Sequence, residues 1–342
     1  MRRRQPPRDD LLSRRRAIVV AAASLLLPTA LVLSLIARTG DVSILNYFGS
    51  QGPSTEFIRE NYPDAQLPDP VGHDGSGFYV ISRTFPDLDR AAANLDNPAY
   101  RLRRILVPLV LHPFAGRAYT VALLLLTLSA IAGGAISLSI LLLRAGFPWW
   151  MGASFGVSPG VLYATRFGLT DVIALALALA GLVVIERRRL LGAVAITAAA
   201  LTRETALLAA AAVFVTIPKT RRHLLIPLVI GGSWILWVNQ AFPKSDQPLV
   251  APPFTDWSSH GAAPVVFAAL LFLGSVAGAW TILRRAPALA LLLLGEAAVL
   301  TVMASPVFFG GNFVRVVPLS VTGMLIAVWA RLESRSQWGQ PP

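Results

Sequence analysis

The chain contains no cysteine among its 342 residues, and only 14% of its residues are charged. Without cysteine there is no disulfide framework, so the small disulfide-built secreted class is excluded. A soluble domain carries about 25% charged residues, so this low charge content excludes a soluble globular enzyme. Intrinsic disorder is excluded as well, because 55% of the residues are apolar. The four histidines lie far apart and show no metal-ligand spacing.

The apolar residues are arranged in long runs. A transmembrane helix needs roughly 20 mostly apolar residues, and about ten segments approach that length. We therefore predict an all-α polytopic membrane protein with about ten transmembrane helices. The predicted spans are Ala17–Ala37, Ala118–Leu143, Phe147–Tyr163, Asp171–Ile185, Leu190–Thr202, Glu204–Pro218, His223–Gln240, Ala263–Leu283, Pro287–Phe309 and Phe313–Ala330.

The positions of the charges predict the orientation. With the N-terminus in the cytoplasm, 18 of the 30 Lys and Arg residues fall inside and 11 fall outside, whereas 12 of the 18 acids fall outside. This distribution follows the positive-inside rule and predicts that both termini are cytoplasmic. The net charge of +12 is thus a topology signal. It leaves no basic face for nucleic acid, so nucleic acid is not among the expected partners.

The chain divides into five predicted regions. Three arginines before the first apolar run resemble a secretion signal, but the run is long, and we favour an uncleaved anchor. The regions are a basic cytoplasmic N-terminus (1–16), the first transmembrane helix (17–37), a large extracytoplasmic loop (38–104), a multi-helix transmembrane domain (105–331) and a cytoplasmic tail (332–342).

The large loop contains an acid in a glycine-rich segment. His73 and Asp74 are followed by Gly75-Ser76-Gly77, and then by Phe78 and Tyr79. Glycines permit unusual dihedral angles and close ligand approach, which suits a carboxylate on a tight turn near the membrane surface. The aromatic residues could sit at the interface or stack on a sugar. The alternative is an ordinary Asp-Gly turn with interfacial anchors.

A second segment of the loop is rich in arginine. Asn97-Pro98 is a natural helix start, and it would place Arg101 and Arg104 on one helix face. Arg103 lies between them. Three arginines on the outer side oppose the positive-inside trend, and the planar guanidinium suits bidentate binding of phosphate. The alternative is that they pair with the nine acids of the same loop.

Further ionisable residues interrupt the apolar region. In the second outer turn, Arg166 and Asp171 are candidates for substrate binding, and Asp171 could equally cap the next helix. Arg203 and Glu204 lie between two short spans. They are either a self-compensated pair or a contact to substrate. Arg315 begins the last span, where it could bind phosphate or anchor the chain to lipid headgroups.

Together these segments resemble a known family. The pairing of His-Asp-Gly-x-x-Phe-Tyr at 73–79 with Leu-Asp-Asn-Pro-Ala-Tyr-Arg-x-Arg-Arg-Ile-Leu at 95–106 is similar to bacterial members of the GT-C superfamily. These are multi-spanning glycosyltransferases that use polyprenyl-phosphate sugars, including mannosyltransferases. The resemblance covers the first outer loop well. The rest of the chain matches in layout, with a short acidic outer turn and a Thr-Arg-Glu-Thr segment at 202–205.

The resemblance implies an activity and its parts. Asp74 would be the catalytic base that removes a proton from an acceptor hydroxyl, which then attacks the anomeric carbon with inversion. His73, Tyr79, the loop arginines, Arg166, Asp171, Arg203, Glu204 and Arg315 would bind substrate. The partners would be a polyprenyl-phosphate sugar, a glycan, lipid or protein acceptor, and membrane lipids. Many family members carry a second acid beside the first, whereas Gly75 stands there in this chain. This departure leaves the metal requirement open: no cofactor is established, and a divalent cation is the one candidate.

Two other classes of function compete with this one. A transporter or lipid flippase would need polar groups along a path near the membrane midplane, and often internal repeats. Such groups are few here, and no repeat is evident. A non-catalytic accessory subunit of envelope assembly would bind lipid and tolerate the loss of Asp74. Within the spans, Glu296 is expected to hydrogen-bond a neighbouring helix.

Overall fold

The computed structural model describes residues 12–243, 253–254, 262–302, 314–315 and 317–338. These residues form helices and no strand, apart from a single parallel bridge between Gly49 and Asp69. Residues 1–11 of the predicted basic N-terminus and residues 339–342 of the predicted tail lie outside the described residues. The prediction of an all-α architecture is confirmed for the part that the structure describes.

Sixteen α-helices follow one another in the described ranges, with short 3-10 turns between some of them. In chain order they are α1 (Arg14–Thr39), α2 (Thr55–Asn61), α3 (Asp74–Thr84), α4 (Leu88–Ala93), α5 (Pro98–Leu102), α6 (Leu106–Leu111), α7 (Gly116–Arg144), α8 (Ser154–Val157), α9 (Pro159–Arg166), α10 (Asp171–Ile185), α11 (Arg189–Thr202), α12 (Leu207–Thr216), α13 (Leu225–Ala241), α14 (Ala262–Ile282), α15 (Pro287–Thr301) and α16 (Ser320–Trp338).

Four helical segments of the described chain are long and apolar enough to cross a membrane. They are α1, α7, α14 and Pro218–Ala241, in which a 3-10 turn leads into α13. Four shorter apolar helices, α10, α11, Glu204–Thr216 and α15, coincide with predicted spans. These features are those of a helical membrane protein. The number of crossings and the orientation stay predictions.

Two predicted spans differ in the structure. The span 147–163 is wrong as a single helix. It is a 3-10 turn at Trp149–Ala153 followed by α8 and α9. Pro148 and Pro159 explain the breaks, because proline lacks an amide hydrogen and clashes with the preceding turn. The last helix begins at Ser320, seven residues after the predicted start at position 313, and continues to Trp338.

The large loop is an ordered cap of short helices rather than an extended segment. Helices α2 to α5 and a 3-10 turn at Val42–Asn46 build it. Its core contains the buried rings of Phe48, Tyr62 and Tyr79, and it continues onto Tyr119 of α7. The apolar core thus runs from the loop directly into the long helices. This continuity fixes the loop on one end of the helical bundle.

Helix α7 is the central element of the bundle. It packs against α1 on one side and α10 on the other, and α10 in turn packs against α11. Helices α14, α15 and α16 form a second packed group. The N-terminus of α10 and the junction of α11 with α12 are therefore held at the same end of the bundle. That end is the one covered by the loop, as the side-chain contacts below show.

Candidate functional site

Asp74 is the first residue of α3, and a turn in the backbone just before the helix positions it. Gly72 adopts a left-handed backbone with φ of 71°, and a Cβ there would lie 2.4 Å from the amide nitrogen of Gly49. The chain then enters α3 directly at Asp74. An acid in the first turn of a helix is favoured by the exposed amide groups and the helix dipole. Asp74 was predicted on a tight turn. In the structure the turn is at Gly72, and Asp74 lies two residues later as the first residue of α3.

Glycines let α3 lie close to its neighbours. A Cβ on Gly75 would meet the carbonyl oxygen of Asn46 at 2.2 Å, and one on Gly77 would meet Cδ of Arg101 at 3.3 Å. The stem of Arg101 therefore lies across the first turn of α3. This contact carries the guanidinium to the carboxylate of Asp74, with which it forms an ion pair.

Helix α5 and the turn that follows it bring two arginines to the acid. Asn97 caps the helix by accepting a hydrogen bond from the amide of Tyr100 at 3.2 Å, and Pro98 occupies the first turn. Arg101 lies in the last turn of α5, and Arg104 lies two residues beyond the end of the helix, where its amide donates to the carbonyl of Arg101 at 3.2 Å. Arg104 donates to Asp74 at 2.7 Å and is fully buried.

The same guanidinium groups also reach other acids. Arg101 makes a bidentate contact with Asp96 at 2.8 and 2.9 Å. Arg104 makes one with Glu204 at 3.1 and 3.2 Å. Arg103 points away from Asp74 and donates to Asn239 of α13 at 2.5 and 3.2 Å. The structure therefore separates Arg103 from the other two arginines and joins the loop to Glu204 in the bundle.

Residues from distant parts of the chain complete the cluster. Nη2 of Arg315 lies 2.8 Å from Asp74 and 2.9 Å from Asp171. Asp171 also pairs with Arg203. Among the described residues the resulting cluster contains four arginines and four carboxylates, and its formal charges balance. We call it the ionic cluster, and its members are Asp74, Asp96, Arg101, Arg104, Asp171, Arg203, Glu204 and Arg315.

Charge and burial act in opposite directions on Asp74. Burial by itself would raise the pKa of this carboxyl group, but Arg101, Arg315 and Arg104 together hold that pKa well below its ordinary value. Asp74 is therefore ionised at neutral pH. Burial lowers the pKa of the neighbouring His73, and Asp74 opposes this effect only in part. The imidazole is therefore largely neutral at pH 7.

Two interpretations of the ionisable pairs are corrected by the geometry. Arg203 and Glu204 are not a self-compensated pair, because Arg203 contacts Asp171 and Glu204 contacts Arg104. Neither does a side chain cap the start of α10. The hydroxyl group of Thr170 donates to the carbonyl of Thr202 instead, at 3.3 Å. The carboxylate of Asp171 belongs to the ionic cluster.

Tyr79 lies outside the cluster. Its side chain has no exposed surface, and its hydroxyl donates to the carbonyl of Asn61 at 2.9 Å. It packs on Phe48 and Tyr119 within the core of the loop. The expectation that Tyr79 stacks on a sugar is therefore not met by this structure, because no face of the ring is open.

Sequence reasoning missed several residues beside the site. The ring of Tyr100 lies under the guanidinium of Arg104, with 4.2 Å from Cζ to the ring centroid, and its hydroxyl accepts a hydrogen bond from the same arginine. Asp96 fixes Arg101 from the other side. Both residues lie in the quoted arginine-rich segment. Tyr100 is four residues before Arg104, and this spacing was a signal that could have identified it. Asp96 precedes the cap of α5, and its only signal was that it is one of the acids of the loop.

A small cavity lies beside the ionic cluster, toward the bundle. Its volume is about 50 Å³, and Asp171, Arg203 and Arg315 form its polar end. Glu296 also lines it, and this carboxylate accepts a hydrogen bond from the amide of Leu319 at 3.1 Å. Glu296 was expected to hydrogen-bond a neighbouring helix, and its partner is the residue directly before α16. The other walls are alanine, leucine and valine side chains of α10, α12 and α15.

A divalent cation stays a candidate cofactor, but the described part of the ionic cluster is not built as a site for one. In the described part of the chain no three acidic or histidine side chains gather in the manner of a metal site. Arg315 also lies between Asp74 and Asp171, where a cation shared by the two carboxylates would have to sit. A metal there would face like charge from the guanidinium groups, so no step below depends on one.

Comparison with known proteins assigns no family. No family model, curated protein or solved structure matches the chain. The residues of the site are therefore the basis on which a function can be inferred. The fold and the ionic cluster define a helical membrane protein with a buried, charge-balanced centre at one end of its bundle.

Proposed function

We propose that this protein is a membrane glycosyltransferase of GT-C type. It would move a sugar, with inversion, from a polyprenyl-phosphate donor to an acceptor at the outer face of the membrane. The observation that carries the proposal is the convergence of Arg101, Arg104 and Arg315 on the carboxylate of Asp74. The resemblance of the first loop to this superfamily supports the same assignment.

Three converging guanidinium groups suit the leaving group of such a reaction. As the bond between the anomeric carbon and the phosphate oxygen breaks, the phosphate keeps the electron pair and gains about one unit of negative charge. Cations bind this charge more strongly in the transition state than in the substrate, which is the condition for acceleration. In the free protein, these arginines form ion pairs with carboxylates. The donor phosphate would replace part of these contacts.

The replacement of carboxylate contacts by the donor phosphate also affects Asp74, which is the proposed base. Ionised Asp74 accepts the proton of the acceptor hydroxyl while that oxygen forms its bond to the anomeric carbon. A carboxylate held by three arginines is a weak base, because its pKa is far below neutrality. When the phosphate engages Arg101 or Arg315, fewer cations stabilise the Asp74 carboxylate, and its basicity rises. Donor binding and activation of the base are thus coupled in this proposal.

The surroundings fit an amphipathic donor. The ionic cluster lies where the loop meets the bundle, and the cavity continues from it between apolar walls of α10, α12 and α15. A phosphate at the polar end would direct its polyprenyl chain along those walls, and the cavity of about 50 Å³ would have to widen to take the chain. In the proposed topology both termini are cytoplasmic, and the loop, the ionic cluster and the acceptor lie on the outer side.

The test is transfer by purified protein in lipid, with a panel of polyprenyl-phosphate sugars. Release of polyprenyl phosphate is measured for the natural protein and for Asp74→Asn. The matched control is Asp64→Asn, which makes the same change at an exposed acid of the same loop. We expect turnover in the natural protein and in the control, and none in Asp74→Asn.

Asp74→Asn also removes the acid that three arginines share, and this could impair folding. A separate control for folding is therefore included. Asp74→Asn combined with Arg101→Gln restores the charge balance, and size-exclusion profile and lipid binding report on its fold. A fully active Asp74→Asn protein would overturn the assignment. Lipid binding without turnover, across donors and acceptors, would favour an accessory subunit or a transporter instead.

A further inference from the structure

A group of aromatic rings lies beside the ionic cluster and takes no part in it. Phe167 is at its centre, with ring centroids 4.3 Å from His73, 4.5 Å from Tyr163 and 4.7 Å from Tyr47. All four side chains are half-buried. We call this group the aromatic platform. It is a partly open apolar surface that the proposed transfer reaction has not used.

Local backbone structure holds the platform next to the base. The carbonyl of Tyr47 accepts a hydrogen bond from the amide of His73 at 3.1 Å, and His73 directly precedes Asp74. Tyr47 itself has a left-handed backbone, with φ of 48°, which is costly for a residue other than glycine. Such strain persists only where the surroundings fix it. The rings of Tyr47 and His73 are thus set in place beside Asp74.

Arg166 lies over the platform without an acid. Its guanidinium is 4.8 Å from the ring centroid of Tyr47 and 5.1 Å from that of Phe167. Its Nη1 atom is buried and has no hydrogen-bond partner, and within the described ranges Arg166 forms no ion pair. A buried donor without an acceptor costs roughly 1–3 kcal/mol, more for a charged group. The charges of the ionic cluster balance, whereas Arg166 is a cation with no carboxylate beside it in the described ranges.

We propose that the aromatic platform and Arg166 form the acceptor subsite, and that it takes a sugar ring carrying an anionic group. The apolar face of the ring would stack on Phe167 and its neighbours. The guanidinium of Arg166 would donate to a carboxylate or a phosphate on that sugar. This inference rests on the proposed transfer reaction only in naming the sugar as the acceptor.

Position distinguishes acceptor from donor. The donor phosphate is assigned to the arginines that contact Asp74 itself. The acceptor must bring a hydroxyl to Asp74 from another direction, and the platform adjoins Asp74 through His73. An uncompensated cation there selects for a negative acceptor, and it adds a second anion-binding position that the charge-balanced cluster does not provide.

The test measures binding, not transfer. Saturation-transfer NMR on the full chain in nanodiscs is titrated with glucose, glucuronate and glucose 6-phosphate. We expect at least one anionic probe to bind more tightly than glucose. Arg166→Gln should weaken that probe about tenfold, the value for one charge-assisted hydrogen bond, and leave glucose unchanged. Phe167→Ala should weaken all three.

Controls separate this inference from the proposed function. Arg221 lies over Phe214 in a matching arrangement, 5.1 Å from the ring centroid, at the other end of the bundle. Arg221→Gln should change none of the titrations. The comparison of glucuronate with glucose 6-phosphate tells which anion is preferred. Equal binding of all three probes, or an anion preference that survives Arg166→Gln, would overturn the subsite.

Two patterns are then distinguishable. If the anion preference depends on Arg166 but no donor is turned over, the anionic-sugar site stands and the transferase proposal fails. If transfer occurs and the Michaelis constant for the acceptor is unaffected by Arg166→Gln and Phe167→Ala, the transferase stands and the subsite is refuted.

Discussion

Nη2 of Arg315 lies 2.8 Å from Oδ2 of Asp74, across 241 positions of the chain. The same nitrogen lies 2.9 Å from Asp171. All three side chains are at most 10% exposed. One guanidinium group thus joins the loop, the start of α10 and the region before α16. Charges this far from water are stable only when paired, so the contact acts as a structural tie and as a candidate binding site.

The first prediction concerns this tie. Arg315→Met removes one of the four cations, so the ionic cluster keeps one buried negative charge in excess, although Arg101 and Arg104 still contact Asp74 and Arg203 still contacts Asp171. Breaking a buried ion pair costs about 3–5 kcal/mol, so we expect a lower melting temperature for the detergent-solubilised protein. Adding Asp171→Asn should recover part of the loss, because it removes the negative charge in excess. The melting temperature of the double variant is compared with those of the natural protein and of both single variants. If the loss in the double variant equals the sum of the losses in the two single variants, the residues are not coupled.

The second prediction concerns the shape of Arg104. Arg104→Lys keeps the charge but loses the planar fork that reaches Asp74 and Glu204 together. Lysine cannot reproduce bidentate contacts in two directions. We expect a lower melting temperature and at least a tenfold loss of transfer, since ten-fold corresponds to about 1.4 kcal/mol. Arg103→Lys, which alters only the contact to Asn239, is the control. Equal effects of the two changes would contradict the assignment.

The third prediction tests the docking of α3. Gly75→Ala places a Cβ 2.2 Å from the carbonyl oxygen of Asn46, so α3 must move away from its neighbour. We expect a lower melting temperature and loss of transfer. Gly133→Ala is the matched control, because a Cβ there meets nothing within 4 Å. In the middle of α7 this control should be neutral or stabilising by about 1 kcal/mol. Similar melting of both variants would contradict the close packing.

The fourth prediction is a pH dependence. The pKa of Asp74 is lower in the folded protein than its ordinary value. Its contribution to stability is therefore complete above the unfolded pKa of about 3.9. It is lost as pH falls below that value toward the folded pKa. The difference in melting temperature between the natural protein and Asp74→Asn should be constant from pH 5 to 8 and shrink in more acidic buffer. A difference that disappears by pH 6 would contradict the ionised, paired state.

Local features of the site were predictable from the sequence. Asn97 and Pro98 start α5 as expected. Arg101 and Arg104, three residues apart, both reach Asp74, although α5 ends at Leu102 and Arg104 lies in the turn after it. These outcomes follow from capping and helical periodicity, which act over a single turn. Most predicted spans also coincide with helices, because long apolar runs leave the backbone few other ways to satisfy its hydrogen bonds. The predicted span 147–163 failed where prolines override hydropathy.

Which charges meet was not predictable. Arg103 carries the same side chain as its neighbours but points to Asn239, and Tyr79 is buried in the core instead of facing a ligand. Glu204 pairs with Arg104, 100 positions away, and not with the adjacent Arg203. Pairings of this kind depend on the packing of several helices. No pattern within one segment encodes them.

By itself the sequence determined the class of this protein. Its apolar runs and scarce charges require a helical bundle in lipid, because isolated charges and unpaired backbone groups are too costly there. Its few ionisable residues were marked as candidates by that same cost. Only the tertiary structure decided that Asp74, Asp171, Glu204 and four arginines form one centre. The physical reason is that the low dielectric interior stabilises these charges only against each other, at distances set by how α3, α5, α10 and the junction after α11 pack together.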